Sequence, residues 1–336
     1  YDYIFWVATP DLGAPMFGDG ARPLVESEDR ATWPLYPVLA EATELLGDPK
    51  YRARAELDRD RLPEEKSHAF EEAGMYVLRS DWGPDQIHLG LHCSPLGISG
   101  HDQADNGTFE LHAYGRWLMP DTGFYTYGHD QDARLWHRRT RVHQTLTLDD
   151  RDSGIDGRHL LWHADGDLTA LVVENTSYEH LVHRRTVWSV DRRFFILFDE
   201  AIGDAAGRLD LHFQFAPGEA AFDADKLRAH TLFGDANVLV AAEDGAGWKL
   251  EEEGGWFAWA YGHRTRRKAF RFEHNGTAPT SFLTVVAPYR GTTPPNVHIA
   301  MAEGAVGDAR VEATAQAFGT TWCVGRDLDT GTAYLS

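Results

Sequence analysis

The chain has 336 residues, of which 43% are hydrophobic and 12% aromatic. That is ample apolar surface for a buried core, which excludes a disordered chain. Acidic residues outnumber basic ones by 52 to 32 and give a net charge of −20. This balance argues against binding to nucleic acid or to an anionic membrane surface. No apolar run is long enough for a transmembrane helix, so a helical membrane protein is excluded as well.

The N-terminal part of the chain has helical periodicity. Apolar residues spaced three and four apart predict a helix over residues 34–46, with proline in the first turn and glycine after the last. A second helix is predicted over residues 51–57, and residues 15–20 have the composition of a loop. Two helices bury little surface alone, so we expect the end of a larger helical domain, followed by a charged linker at residues 59–66.

From Ala69 onward the apolar residues follow a period of two, which predicts β-strands. Residues 209–215 alternate apolar with polar side chains, as in a strand buried on one face, and Asp191-Arg192 predicts a tight hairpin turn. Roughly a dozen or more strands without a convincing helix between them predict stacked antiparallel sheets. Further strands are predicted at residues 109–113, 117–119, 237–241, 256–261, 269–273, 282–287 and 321–324.

The two cysteines, Cys93 and Cys323, lie far apart in strand-like runs. We expect two free thiols, with a disulfide as the alternative, so they do not identify the compartment. The chain opens at Tyr1 within an apolar run and without methionine, so we expect it to be part of a longer protein.

The densest polar region runs from Ser99 to Asp150. It contains HDQADNGTFELHAYGRWLMPDTGFYTYG from residue 101 and WHRRTRVHQTLTLDD from residue 136. In this order the motifs resemble the C-terminal half of heparinase II/III-like polysaccharide lyases, most closely heparinase III, the heparan sulfate lyases. The resemblance covers most of residues 70–215 and the rest more loosely, and the PMFGDG loop resembles the end of that family's helical domain.

The resemblance implies a mainly β fold. The family pairs an N-terminal α/α toroid with a C-terminal antiparallel β-sandwich, and its substrate lies in the cleft between them. We therefore expect the last toroid helices and a linker at residues 1–66, and a multi-stranded antiparallel β-sandwich at residues 67–336. The rest of the toroid, which holds the asparagine and tyrosine of the family's active site, would be a partner that this sequence does not include.

The resemblance also implies a reaction. Such lyases cut uronate-containing chains by β-elimination, in which the C5 proton is removed and the bond to O4 breaks. The reaction needs a base, an acid, and a positive group for the carboxylate charge. The matching motif places the catalytic histidine at His101. Imidazole suits this role because its ordinary pKa of about 6.5 allows proton exchange near neutrality; the alternative is a solvated loop side chain.

Gln103, Asp121 and His143 match the family's metal-binding positions. One nitrogen and two oxygen donors suit one divalent ion, zinc, manganese or calcium, which we expect to be mainly structural. The alternative is a metal-free hydrogen-bond cluster of the same three residues.

Trp136, His137 and Arg138 match the family's substrate-binding segment, and Tyr125 and Tyr127 follow the turn that contains Asp121. Arginine forks suit carboxylate and sulfate groups, and aromatic rings suit a sugar face. The alternatives are arginines that face solvent on a strand and tyrosines that pack under the loop.

Other polar residues are expected to be structural or surface groups. Asp105 and Asn106 are expected to fix their loop by hydrogen bonds rather than to take part in chemistry. The basic clusters at residues 183–185 and 263–268 are expected to be solvated surface.

Three functions are compatible with these residues. The first is a heparan sulfate-like glycosaminoglycan lyase with an anionic polysaccharide as substrate. The second is a lyase for another uronate polymer, such as alginate, an exopolysaccharide or a non-sulfated glycosaminoglycan. The third is a carbohydrate-binding β-sandwich without catalysis. A polymer substrate favours a periplasmic or secreted bacterial protein.

Overall fold

Strands of four antiparallel sheets make up most of the structure, a computed structural model that describes residues 1–21, 27–95, 100–244 and 247–336. Ser99, the first residue of the predicted polar region, lies outside the described residues. The helices are α1 (Asp2–Val7), α2 (Tyr36–Leu46), α3 (Lys50–Glu56) and α4 (Gln131–His137). The strands are β1 (His68–Phe70), β2 (Met75–Arg79), β3 (Ile87–His92), β4 (Phe109–Ala113), β5 (Arg116–Met119), β6 (Leu146–Leu148), β7 (Gly157–Asp165), β8 (Leu168–Tyr178), β9 (Leu181–Val190), β10 (Phe194–Gly203), β11 (Ala206–Gln214), β12 (Ala220–Asp223), β13 (Arg228–Thr231), β14 (Ala236–Ala242), β15 (Lys249–Ala260), β16 (His263–Thr277), β17 (Thr280–Arg290), β18 (Val297–Glu303), β19 (Arg310–Ala317), β20 (Thr320–Asp327) and β21 (Thr332–Leu335).

The predicted helices near the N-terminus are confirmed as α2 and α3. Gly47 ends α2 in the left-handed conformation, at φ 70°. The apolar run at the start of the chain forms α1, whose Phe5 packs in one cluster with Tyr51 of α3 and with Trp82 of the β2–β3 turn. This cluster joins the helices to the sheets, and the division into residues 1–66 and 67–336 stays a prediction.

The largest sheet lies between the others, so the predicted stack of antiparallel sheets is confirmed and has three layers. Its eight strands run in the order β12-β13-β14-β17-β10-β9-β8-β7. One face shares a core with the five-stranded sheet β1–β5 and with the sheet β15-β16-β11-β6. The other face packs on the sheet β18–β21.

Burial on both faces explains the apolar run in β10. Phe195 and Leu197 point into one core, and Ile196 and Phe198 point into the other. The predicted hairpin between β9 and β10 is confirmed: Val190 pairs with Phe194, and Asp191 and Arg192 in the tight turn between them both have φ 51°.

The prediction that β11 is buried on one face only is wrong. Its apolar side chains lie in the core, but Asp210 and His212 are also at most 1% exposed. Glu253 of β15 accepts from the His212 ring, and Arg271 of β16 lies 3.2 Å from Asp210. These pairings replace the hydrogen bonds that Asp210 and His212 would make with water on an exposed face.

The two basic clusters are not simply solvated surface. Arg185 is 1% exposed and donates to Asp199 and to two loop carbonyls, those of Gly107 and Gln144. Arg267 is 3% exposed. Both side chains can be buried because their N–H groups donate to backbone carbonyls of distant segments, and those of Arg185 donate to Asp199 as well.

Cys93 is buried and Cys323 is partly buried, and both are free thiols as predicted. The helices found in the described ranges are all too short or too polar to cross a bilayer.

Candidate active site

An open cavity of 560 Å³ lies between the N-terminal segment and the five-stranded sheet. Helix α1 and residues 14–20 line one side, and His92, His101 and Gln103 line the other. His101, the predicted catalytic residue, and Gln103, a predicted metal ligand, therefore meet the N-terminal loop at this cavity.

Asp19 of that loop is the residue on which the site converges. Its carboxylate is 2% exposed. It lies 3.1 Å from His101 Nδ1 and 2.8 Å from Arg138 Nη1. Arg134 Nη2 lies 3.5 Å away, and Gln103 Nε2 donates to the carboxylate at 3.2 Å. One buried charge therefore orients four side chains from two other segments.

The backbone positions Asp19 independently of its side chain. The Asp19 amide donates to the His101 carbonyl at 3.0 Å. Gly18 beside it has φ 64°, and a Cβ there would lie 2.9 Å from the same carbonyl. Only glycine fits this close approach without strain, so the Gly18-Asp19 turn is matched to the His101 loop.

The His101 ring reaches the surface. Its side chain is 65% exposed, and the Tyr127 hydroxyl lies 3.3 Å from Nδ1. An ionised Asp19 only accepts hydrogen bonds, so it favours the proton on Nδ1 and the lone pair on Nε2. This tautomer is the one that a general base at Nε2 requires.

The arginines that reach Asp19 come from a helix that the sequence analysis missed. Asp130 caps α4 by accepting from the Ala133 amide at 3.0 Å. Arg134 and Arg138 are four residues apart and lie on one face of this segment, so both reach Asp19. The alternative that these arginines face solvent on a strand is wrong.

Helix α4 also directs the side chains of the predicted substrate-binding residues Trp136, His137 and Arg138 to different places. Arg138 points to Asp19 and is 24% exposed. Trp136 lines a second open cavity of 430 Å³, together with Arg139, Arg141 and Glu253. Successive residues on a helix lie about 100° apart, so this separation follows from the helix itself.

His137, predicted to bind substrate, is completely buried in the described structure, and its side chain does not reach the surface. Its Nδ1 lies 3.1 Å from the Thr122 hydroxyl, and its ring stacks on Tyr125. Burial and the nearby Arg267 and Arg264 lower the pKa of His137 to about 3. The ring is therefore a neutral packing group beneath the loop.

The two predicted tyrosines differ in exposure. Tyr127 is 48% exposed at the edge of the His101 site. Tyr125 is half-buried between the His137 ring and the Arg264 guanidinium, which lies 4.3 Å from its centroid. Packing under the loop thus describes Tyr125, whereas Tyr127 is available to a ligand.

Two of the three predicted metal ligands form a buried pair. His143 Nδ1 lies 2.9 Å from an Asp121 oxygen, and both side chains are fully buried. Burial opposes the charge on His143, but Asp121 and Asp105 outweigh it and raise the pKa of that ring. Gln103 also packs inside, with its amide nitrogen bonded to Gly18 and Asp19.

Two atoms of the predicted metal-ligand residues have no hydrogen-bond partner in the described structure. They are His143 Nε2 and Gln103 Oε1, and both are buried. Unpaired buried polar atoms are costly, and an amide oxygen and the Nε2 of a neutral imidazole are both atom types that ligate divalent cations. Within the described ranges, no three His, Cys, Asp or Glu side chains are grouped to hold a metal. A site here therefore depends on the glutamine oxygen.

Arg267 fixes the segments that carry Asp121 and His143. It donates to the carbonyls of Pro120 at 2.8 Å, Asp121 at 3.3 Å and Val142 at 3.2 Å. The basic cluster that sequence analysis assigned to the surface thus supports the predicted metal ligands from beneath.

Asp105 and Asn106 hold the loop that carries His101, as expected. Asp105 accepts from the Gly18 amide at 3.2 Å and pairs with His92 at 3.1 Å. Asn106 bonds both backbone groups of Ser94, closing the base of the loop. Both side chains are buried and point away from solvent.

The tyrosine loop docks against the β15–β16 hairpin through Gly123. Gly123 forms a parallel bridge with Ala258, whose amide donates to the Thr122 carbonyl at 2.9 Å. Gly123 has φ 68°, and a Cβ there would lie 2.0 Å from the Ala258 carbonyl oxygen. The contact therefore requires glycine.

Sequence analysis missed Asp19 and Tyr261 as site residues. Tyr261, at the tip of the β15–β16 hairpin, is 53% exposed and lies beside Tyr127. The Asp130 cap was a usable local signal for α4 and hence for Arg134. Asp19 meets partners 82 to 119 residues away, for which no local pattern exists.

The sequence and the fold of this chain resemble those of known proteins. The profile of the family described as Heparinase II/III-like, C-terminal, matches residues 62–304. The chain belongs to the heparinase II/III-like family. A heparin-sulfate lyase from Pedobacter heparinus is 32% identical over 306 residues, which is 87% of this chain and 45% of that protein. A second one, from Bacteroides stercoris, is 34% identical over 69% of this chain and 36% of that protein.

Solved structures of family members have the same fold. A crystal structure of a heparan sulfate lyase from Pedobacter heparinus matches with a TM-score of 0.85 and 29% identity, over 98% of this chain and 51% of that one. A heparinase III structure matches with a TM-score of 0.88 and 28% identity, over 97% of this chain and 51% of that one. The chain thus spans about half the length of the relatives it matches.

Replacing Gly123 with alanine tests the docking of the tyrosine loop. Gly123→Ala should lower the free energy of unfolding by roughly 2–4 kcal/mol, because the new Cβ meets a backbone oxygen at a positive φ. The measurement is urea denaturation. Gly128→Ala in the same loop is the control, since a Cβ there meets nothing within 4 Å. Equal stability of the two variants would contradict the proposed contact.

Proposed function

We propose that the protein containing this chain is a polysaccharide lyase that cleaves uronate-containing, heparan sulfate-like glycosaminoglycans by β-elimination. The observation that carries the proposal is His101, a cavity-lining exposed histidine held by a buried carboxylate beside two arginines and a tyrosine hydroxyl. Family membership and the names of the relatives support it.

In the proposed reaction His101 is the sandwich's proton-transfer group. A base removes the C5 proton of the uronate, the electron pair forms a C4–C5 double bond, and the C4–O4 bond breaks. An acid donates a proton to the departing O4. Asp19 keeps the proton on Nδ1 of His101, so Nε2 is available for exchange with the substrate. Tyr127 borders the same ring.

The arginines supply the positive charge that the substrate carboxylate needs. Arg134 and Arg138 carry two charges against the single charge of Asp19, in a chain whose net charge is −20. Their side chains are 18% and 24% exposed, so part of each remains accessible. A local positive field of this kind stabilises the charge that develops on the carboxylate as C5 loses its proton.

An N-terminal domain is part of the proposal. The relatives are about twice as long as this chain. We infer that an α/α toroid covers the open cavity and supplies the remaining catalytic groups. A polymeric substrate further supports action in the periplasm or outside the cell. Cleavage of another uronate polymer would replace the substrate in this assignment, and binding of a polymer without cleavage would replace the enzymatic function.

The proposal includes one divalent ion at the site formed by Gln103, Asp121 and His143. Gln103 Oε1 and His143 Nε2 are the available donors, and Asp121 orients the His143 ring through Nδ1. When bound, the ion would tie the His101 loop to the loops that carry Asp121 and His143. Its role is structural, and the proton transfers above belong to side chains.

Replacing His101 tests the proposed base. In the complete gene product, His101→Ala should lower kcat by roughly 100-fold or more, because a positioned general base contributes about that much. Product is followed by the ultraviolet absorbance of the new double bond, with heparan sulfate, heparin, hyaluronan, chondroitin sulfate and alginate as substrates. His180→Ala is the control, since His180 is also 65% exposed. Retained activity in His101→Ala would exclude the role.

Replacing Asp19 tests whether it positions His101. Asp19→Asn should lower kcat roughly tenfold or more, about 1.4 kcal/mol, with little change in KM, because a side chain 2% exposed does not contact substrate. Asp210→Asn is the control, since Asp210 is also buried between two arginines, Arg208 and Arg271. If both variants lose stability and activity in parallel, Asp19 has only a structural role.

Elemental analysis of the purified protein tests the metal site. We expect one divalent ion per chain, with its content and the melting temperature reduced in Gln103→Ala and by chelation. Gln86→Ala is the control, because Gln86 is equally buried and its Oε1 also has no partner in the described structure. Unchanged metal content in Gln103→Ala, or a protein without metal, would favour the hydrogen-bond cluster instead.

A further inference from the structure

Two exposed tyrosine rings lie side by side at the edge of the site. Tyr127 is 48% exposed and Tyr261 is 53% exposed, whereas most large apolar and aromatic side chains are buried. Their ring centroids are 6.2 Å apart and their planes differ by 27°. The two rings therefore lie next to each other with similar orientation, and the Tyr127 hydroxyl meets His101.

The position of Tyr261 is fixed by the backbone. Tyr261 occupies the turn between β15 and β16, and the next residue, Gly262, donates its amide to the Tyr125 carbonyl at 2.8 Å. The Gly123 bridge to Ala258 lies three residues before Tyr261. The hairpin tip is therefore held to the Tyr125–Tyr127 loop at two points, and the two rings are preorganised rather than brought together by a ligand.

The rings rest on groups that are themselves fixed. Phe124 is buried beneath both, with centroid distances of 4.1 Å to Tyr127 and 6.2 Å to Tyr261. The Arg134 guanidinium lies 4.9 Å from the Tyr127 centroid while it also pairs with Asp19. This support leaves the outer ring surfaces uncovered in the described structure.

We propose that Tyr127 and Tyr261 form a sugar-binding platform, on which Tyr261 binds the pyranose next to the one that reacts at His101. The inference rests on the proposed function. A pyranose has an apolar face of C–H groups that packs on an aromatic ring, while its charged groups stay at the rim. Arg134 behind Tyr127 provides positive charge on the His101 side, where the reacting uronate lies.

The platform makes Tyr261 a residue for polymer binding rather than for chemistry. Its ring lies beyond Tyr127, and Tyr127 is the one whose hydroxyl meets His101. Loss of the Tyr261 ring should therefore weaken binding of chains long enough to reach it. Cleavage of a bound chain should be unaffected, because no reacting atom touches the ring.

Kinetics on long and short substrates test this inference in the complete gene product. Tyr261→Ala should raise KM for the polymer that the unmodified protein cleaves by roughly tenfold, about 1.4 kcal/mol, with kcat within twofold. The shortest cleaved oligosaccharide should show no such change. Tyr261→Phe should behave like the unmodified protein, because the ring and not the hydroxyl binds. Leu232→Ala, at a residue 51% exposed in the β13–β14 turn, is the control.

Other results would overturn the inference. An unchanged KM for polymer in Tyr261→Ala excludes the platform. A fall in melting temperature together with kcat would mean that the ring packs against another part of the protein. If no uronate polymer is cleaved, the proposed function fails, and affinity electrophoresis on gels containing the same polymers still tests the platform. Equal retardation of Tyr261→Ala and Leu232→Ala in those gels would exclude it.

Discussion

The candidate site depends on the contacts that the Asp19 carboxylate makes. It is almost fully buried and faces His101, Arg134 and Arg138, which come from segments 82 to 119 residues further along the chain. A buried carboxylate is stable only when paired, and the partly exposed Arg134 and Arg138 supply that pairing. The Asp19 carboxylate therefore links the N-terminal loop, helix α4 and the His101 segment.

Close backbone contacts set the geometry around this charge cluster. Gly18 lets the Asp19 turn approach the His101 carbonyl, and Gly123 lets the tyrosine loop approach β15. Arg267 then donates to the carbonyls of Pro120, Asp121 and Val142, at or directly before the predicted metal ligands Asp121 and His143. Side chains held from three directions have few alternative rotamers, which is what precise placement of a proton-transfer group requires.

Local sequence signals predicted the parts of the fold that local interactions determine. The period of two gave the strands, the two-residue turn gave the β9–β10 hairpin, and helical spacing with a terminal glycine gave α2. Burial of Arg185 and Arg267 could not be predicted, because their partners are carbonyls of remote loops. The resemblance to the family placed His101 in the site, but only the fold shows that Asp19 orients it.

The candidate site has a buried part, which this chain encloses by itself, and an exposed part, which it leaves open to solvent. The charges of Asp19, Asp121 and His143 are buried, so their interactions act at low effective dielectric. The His101 ring is 65% exposed, and an electrostatic contribution to proton abstraction is weak in such a solvated position. The chain therefore holds the proposed base, His101, through Asp19 but does not exclude water from the His101 ring. The covering domain proposed above would exclude that water and so strengthen these interactions, and the relatives are about twice as long as this chain.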